Sequence, residues 1–277
     1  MSRLSVVVEN KVGFASRLLA EHGLSVWVEH QGLNILYDTG MGQALGHNLE
    51  VLELDPNDLD GVVISHGHYD HVGGLEALLR MRSKPVDVWC HPNVFGCHLA
   101  QLGEDAPLRE IGPSLPLVGY ERLGAVFHMV EGSAEPWPGI TLLAPIARQT
   151  SFEVPSPGLL TRIDGKLMPD PFPDDLAMLI DAPSGPVCVT GCAHAGAINV
   201  LLAAEEAAGE PVSLLLGGTH LGPAPASQQA AAISELAARP GLRVAAGHCT
   251  GLAMESRLAA ELGDRFVHLS AGMALEV

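Results

Sequence analysis

Between residues 66 and 71 the chain places three histidines and an aspartate, His66, His68, Asp70 and His71, directly after the apolar run Val62-Val63-Ile64 and before a helix-like stretch at 73–81. A strand ending at Ser65 lets the following loop turn His66 and His68 to one side, while Asp70 and His71 close the loop at the helix entrance. Imidazole and carboxylate suit borderline divalent ions such as zinc, manganese or iron. With no Cys pair in the segment, an open catalytic site is expected rather than a closed structural zinc. The plainer reading of the same residues is a helix-capping Asp70 with incidental polar histidines. One loop does not hold two metals by itself, so further ligands must come from elsewhere in the chain.

The chain has 277 residues, 47% of them hydrophobic, enough to bury a sizeable core. No leader or membrane span is expected from its first residues, where residues 4–8 form only a short apolar run broken by Ser5. Five cysteines, at 90, 97, 188, 192 and 249, make no paired framework and fit reduced thiols, so a cytoplasmic protein without disulfides is expected. A net charge of −17 would repel a phosphate polymer, which argues against nucleic acid as a partner. The expected partner is a small molecule; oligomeric state is not readable.

Short β-like runs at 4–9, 24–30 and 33–38 open the chain, the last two joined in hairpin fashion across Gln31-Gly32. From there β-runs alternate with helical stretches: 61–65 with 73–81, 86–90 with a short piece at 93–102, 187–190 with 195–208, 212–216 with 226–238, and 242–246 with 251–262. This is the α/β pattern, and no linker interrupts it, so one domain over 1–277 is expected. The segment 131–175 holds eight of the twenty prolines and no sustained periodicity, and reads as an irregular insertion. Such a segment is either a substrate wall or a passive excursion, and Arg148 and Arg162 are its candidate ligand contacts.

One internal echo extends the metal motif. Val62-Val63-Ile64-Ser65-His66-Gly67-His68 resembles Cys188-Val189-Thr190-Gly191-Cys192-Ala193-His194, each followed by a small-residue turn and a helix. Three histidines lie just past buried-looking β-runs and beside glycines: His194, His220 and His248. Glycine there lets backbone and metal approach closely. His22, His30, His47, His91, His98, His128 and His268 lack this setting and are expected to be structural or solvated.

These residues resemble the metallo-β-lactamase superfamily, whose first metal motif is similar to His66-Gly67-His68-Tyr69-Asp70-His71. Within it the chain looks like the branch of 7,8-dihydropterin-6-yl-methyl-4-(β-D-ribofuranosyl)aminobenzene 5'-phosphate synthases. The matching pieces are Glu21-His22-Gly23-Leu24-Ser25, Leu36-Tyr37-Asp38-Thr39-Gly40, Ser65 to His71, Gly191-Cys192-Ala193-His194, Gly217-Gly218-Thr219-His220-Leu221 and Gly247-His248-Cys249-Thr250-Gly251. The resemblance implies a four-layer αββα sandwich of two mixed sheets flanked by helices. It also implies two divalent ions, most simply zinc, with manganese or iron as alternatives, one held by His66, His68 and His194 and the other by Asp70, His71 and His248. Asp38 is a candidate partner for a ligand imidazole, or a cap of its own turn.

Cys192 occupies the place where many members of the superfamily have a bridging aspartate. It is either a thiolate ligand or a neutral buried thiol packed behind His194. His220 is left over after six ligands, and is expected to donate a proton to a leaving group or to hold a substrate phosphate. The resulting expectation is a dinuclear enzyme with Asp70 and His220 in the catalytic machinery, acting as a metallo-hydrolase or as a synthase-like transferase on a small phosphorylated substrate. The alternatives are a metal-binding sensor or non-catalytic module on the same fold, and a thioesterase or lactonase.

Overall fold

The computed structural model describes residues 2–101, 103 and 105–277. The first half of the chain runs β1 (Ser2–Val8), β2 (Ser25–His30), β3 (Leu33–Tyr37), α1 (Leu45–Val51), β4 (Gly61–Ile64), α2 (Tyr69–Val72), α3 (Leu75–Met81), β5 (Val86–Cys90), β6 (Leu99–Ala100), β7 (Arg109–Glu110), α4 (Leu117–Arg122) and β8 (Ala125–Met129). The second half runs β9 (Ala134–Trp137), β10 (Ile140–Leu143), β11 (Leu159–Ile163), β12 (Lys166–Pro169), β13 (Ala177–Ile180), β14 (Val187–Thr190), α5 (Ala197–Ala208), β15 (Leu214–Gly217), α6 (Ala226–Ala237), β16 (Arg243–Ala246), α7 (Leu252–Leu262), β17 (Phe266–His268) and β18 (Ala274–Glu276). None of the described helices is long and apolar enough to cross a membrane.

Two seven-stranded sheets result, in the orders β18-β1-β2-β3-β4-β5-β8 and β17-β16-β15-β14-β13-β10-β9. Each is half antiparallel and half parallel: β3, β4, β5 and β8 are parallel neighbours in the first, and β14, β15, β16 and β17 in the second. Parallel neighbours need crossovers, and α1, α3, α4, α5, α6 and α7 supply them.

The period of two along each strand sorts side chains into layers. Leu4, Val6, Val26, Val28, Ile35, Tyr37 and Val63 of the first sheet meet Leu142, Met178, Val187, Val189, Leu214, Leu216 and Ala245 of the second in one buried cluster between the sheets. The alternate residues Trp27, Leu36, Val62 and Ile64 pack outward on Leu45, Leu75, Leu78 and Tyr120 of the first helical layer. Likewise Cys188, Leu215, Val244 and Ala246 pack on Ile198, Leu201, Leu236 and Leu258 of the second. The architecture is the four-layer αββα sandwich, and the apolar strands of its parallel halves are buried on both faces, as their near-continuous hydrophobic runs require.

Two expectations are corrected. The stretch 131–175 is irregular only in part, at 144–158 and 170–175: β9 and β10 complete the edge of the second sheet, and β11 and β12 join β6 and β7 in a third, four-stranded sheet of order β12-β11-β6-β7. Strands of four or five residues are too short to display a period, and Pro136 is tolerated because β9 is an edge. The piece at 93–102 is not a helix but a 3₁₀ turn over Pro92–Phe95, capped by His91 accepting from the Asn93 N–H (3.1 Å), followed by β6. Its last residue, Leu102, lies outside the described residues.

Candidate metal centre

The parallel halves point their carboxyl ends to one edge of the sandwich, where α/β folds place ligand sites. From the first sheet, β3 leads into Asp38 and β4 into Ser65 and His66. Asp38 is fully buried and adopts a left-handed φ of 58°. Its Oδ1 accepts the Ser65 N–H (2.7 Å), and its Oδ2 accepts both the Ser65 hydroxyl (2.7 Å) and the His71 Nδ1–H (2.7 Å). The Ser65 hydroxyl, with its proton committed to Asp38, accepts the Nδ1–H of His66 (2.9 Å). One carboxylate therefore fixes the tautomer of both imidazoles and leaves their Nε2 lone pairs facing the site.

From the second sheet, β14 leads to Cys192 and His194, β15 to His220, and β16 to His248. The His248 Nδ1–H donates to Asn10 Oδ1 (2.9 Å), which again leaves Nε2 facing inward. Gly191 must be glycine, because a Cβ there would fall on the Ser65 hydroxyl and crowd Asp38. The two strand ends that echo one another in sequence thus touch through this glycine.

The inward nitrogens converge. His66 Nε2 and His194 Nε2 are 3.3 Å apart, His71 Nε2 and His248 Nε2 are 3.1 Å apart, and Cys192 Sγ is 3.2 Å from His71 Nε2. Asp70 Oδ2 lies 3.3 Å from His248 Nε2 and 3.8 Å from His71 Nε2. The His68 ring completes the first group, with centroids 4.6 Å from His66 and 4.8 Å from His194. Burial, with the neighbouring imidazoles, lowers the pKa of His66, His68 and His194 well below the usual imidazole value, so they are neutral and present lone pairs. Burial would also lower His248, but Asp70 and Cys249 raise it to about 9. Asp70, which burial alone would push up, is held well below the usual carboxylate range by His71, His22 and His248.

Facing lone pairs at 3.1–3.3 Å repel unless a proton or a cation stands between them. The acids are also short of protein cations: the ion-pair contacts of Asp38, Asp70 and Asp174 are to histidines alone among the described residues. Nitrogen, carboxylate and thiol donors in this arrangement fit divalent ions. Backbone strain concentrates here as well. Of nine non-glycine residues with positive φ among those described, Asp38, Phe172, Ala193, His220 and His248 are at the site. Each costs about 1–3 kcal/mol that the surrounding structure must offset.

Other expected residues are placed differently. The Arg148 guanidinium donates to the backbone carbonyls of His194 (2.9 Å) and Ala195 (3.0 Å), so it supports the His194 loop instead of facing a ligand. Arg162 is exposed on β11. His220 borders a narrow groove with His194, Thr219, Pro155, Pro157, Pro223 and Pro225; both its ring nitrogens are buried without a partner.

Sequence reasoning missed several residues. His22, expected to be structural or solvated, places Nε2 3.1 Å from Asp70 Oδ2 and its ring 4.9 Å from that of His248. The segment 170–175 crosses the site: Phe172 stacks on His194 at 4.0 Å, Asp174 accepts the Gly67 N–H (2.8 Å), and Asp175 accepts the Ala195 N–H (2.6 Å). Glu153 accepts the N–H groups of Ile198 and Asn199 (both 2.9 Å), capping the helix behind His194. Glu9 accepts the His248 N–H. His98, set between Asp170 and Asp174, packs its ring 5.6 Å from that of His68. The acids stand far in sequence from what they hold, and only the Glu-His-Gly motif at 21–23 offered a sequence signal.

Known proteins share this arrangement of elements. A 7,8-dihydropterin-6-methyl-4-(beta-D-ribofuranosyl)-aminobenzene-5'-phosphate synthase from Methanocaldococcus jannaschii is 27% identical over 99% of this chain and 96% of its own length. The crystal structure of Tm1679, a metal-dependent hydrolase of the beta-lactamase superfamily, superposes with a TM-score of 0.85 at 25% identity, covering 100% of this chain and 99% of the other. Zinc-bound PqqB from Methylobacterium extorquens shares the fold, with a TM-score of 0.60 at 13% identity over 99% of this chain and 100% of that one. The profile of the metallo-beta-lactamase superfamily matches residues 19–248, and the chain belongs to that superfamily.

Proposed function

We propose that the protein is an enzyme that works with two divalent ions and acts on a small phosphorylated substrate. One ion would be held by His66, His68 and His194, the other by Asp70, His71 and His248. The observation that carries this reading is the convergence of the His66, His71, His194 and His248 Nε2 atoms, three of them with Nδ1–H fixed by a partner. When bound, such ions supply Lewis acidity, steady developing negative charge and make water acidic enough to act near neutral pH. Zinc suits the imidazole and carboxylate donors, and manganese or iron would enter the same positions.

The chain's own residues do the remaining work. Asp38 and Asn10 hold three imidazoles in their ligand tautomer. Phe172 covers one face of His194 and excludes water there. The groove beside His194, walled by prolines, is the entry to the centre on this side. A phosphorylated substrate is supported by the name of the M. jannaschii relative, a phosphate synthase similar from end to end. Breaking or exchanging an ester or phosphoester bond is the reaction class that a centre of this kind serves, and a metal-dependent hydrolase and a phosphate synthase are both among the similar proteins.

Two alanine variants test it. His68→Ala is expected to lose the first ion and Asp70→Ala the second, each with a fall in turnover of about 100-fold or more on whichever of a panel of phosphomonoesters and phosphodiesters the wild type turns over. Metal content by elemental analysis and turnover are measured together. Full turnover in a variant stripped of metal overturns the proposal.

A further inference from the structure

Beyond the six ligands assigned above, a second set of donors lies on the second sheet's side of the centre, sharing Cys192, whose Sγ is also within 4.8 Å of the inward nitrogens of His66 and His194 and of His71 and His248. Cys192 Sγ, Cys249 Sγ and a ring nitrogen of His220 all lie within 4.8 Å of one another. The backbone N–H of His220 donates to Cys249 Sγ (3.3 Å), and the Cys249 thiol donates to the Cys192 carbonyl (3.8 Å), so the loops after β14, β15 and β16 are tied together through sulfur. Gly218 keeps the space open, since a Cβ there would fall on Cys249 Sγ.

The His220 ring packs 4.4 Å from that of His194 but makes no hydrogen bond. Both ring nitrogens are shielded from solvent without a hydrogen-bond partner, and each such group costs about 1–3 kcal/mol if nothing binds it. Its backbone is held at a φ of 49°, a conformation that a residue with a side chain adopts at a cost. Two thiols and an imidazole form a softer donor set than the histidines and carboxylate next to it, and three protein donors leave a fourth position open.

We propose that Cys192, His220 and Cys249 form a third metal site, adjoining the two-ion centre and selective for a thiophilic ion such as zinc. This inference rests on the two-ion reading for its neighbours but not for its own ligands. It moves His220 from the substrate-handling role expected of it to that of a ligand, and it gives Cys192 a task that a carboxylate would serve less well. A third cation also fits the local charge, with Asp38, Asp70, Asp175 and Glu9 buried around the centre.

Titration of the metal-free protein with cobalt(II) alone tests the site. Thiolate bound to cobalt gives a sulfur-to-metal charge-transfer absorption that imidazole and carboxylate do not. Three equivalents are expected in the wild type, with that absorption following one of them. Cys249→Ser and His220→Ala should each take up two equivalents and lose at least half of the absorption. His68→Ala should lose one equivalent and keep the absorption in full. Far-UV circular dichroism identifies any variant that fails to fold, and protection of two thiols from alkylation by the third equivalent gives the same answer in the unaltered chain. Uptake of only two equivalents by the wild type, with or without the thiolate absorption, overturns the third site and leaves the two-ion reading standing. Uptake of fewer than two overturns both.

Discussion

Asp38→Ala is expected to empty the centre and to destabilise the chain by about 3–5 kcal/mol, because it leaves a buried imidazole N–H, a hydroxyl and a backbone N–H without their charged acceptor. The two consequences share one cause. Without Asp38 Oδ2, the His71 Nδ1–H has no partner and the ring is free to turn or change tautomer; His66 loosens too, because its anchor Ser65 is oriented by the same oxygen. Chemical denaturation measures the stability, and elemental analysis after dialysis against a weak chelator measures the ions. Asp38→Asn separates the effects: it keeps the volume and one acceptor, so most of the stability should return while ion affinity stays about 10–100-fold low. A variant that keeps both ions at wild-type affinity would show that Asp38 only supports its turn.

Asp38 also marks where the sequence stops being readable. Strands that end in buried apolar runs, such as β4, β14 and β15, are legible because both faces are covered by helices or by the other sheet, so nearly every residue must be apolar. The histidines past those ends are legible for a related reason: a polar residue directly after a buried strand needs a purpose. The structure brings His66, His68, Asp70, His71, Cys192, His194, His220 and His248 to one edge.

What supports them is invisible by the same logic. Asp174 and Asp175 sit after two prolines in a stretch without a period, and their partners, the N–H groups of Gly67 and Ala195, are backbone groups whose positions only the tertiary fold supplies. Glu153 caps a helix that begins 44 residues later, so no capping motif within a few residues betrays it. His22 was passed over because it follows no strand; it reaches Asp70 only because the hairpin β2–β3 returns its own loop to the end of β4. The strands of 131–175 escaped notice because a four-residue strand carries two inward residues at most, too few to separate a period of two from chance.

Asp175 ties the buried charge of the centre to the pH dependence of the fold. Burial raises its pKa from 3.8 to about 7, against the Ala195 N–H that lowers it, with Asp174 adding to the rise. The carboxyl of the unfolded chain ionises at its ordinary, lower pKa, so between about pH 4 and 7 the folded chain binds more protons than the unfolded one. Stability contributed by this group therefore falls as pH rises through that window, and levels off above it. At about 1.4 kcal/mol per pKa unit, the loss reaches at most ~4 kcal/mol. Asp175→Asn cannot ionise and still accepts the Ala195 N–H, so in chelator the two proteins should unfold with similar free energies near pH 4. The variant should then become the more stable one by up to that amount at pH 8. Neighbouring imidazoles and carboxyls titrate in both proteins and largely cancel in the difference. Loading divalent ions should shrink the difference, because cations a few ångströms away favour the carboxylate as the protein's own side chains do not. A difference that stays constant from pH 4 to pH 8 in chelator would mean that Asp175 is ionised throughout. A difference unchanged by added metal would mean that the ions bind too far from it to be held by His194 on the neighbouring loop.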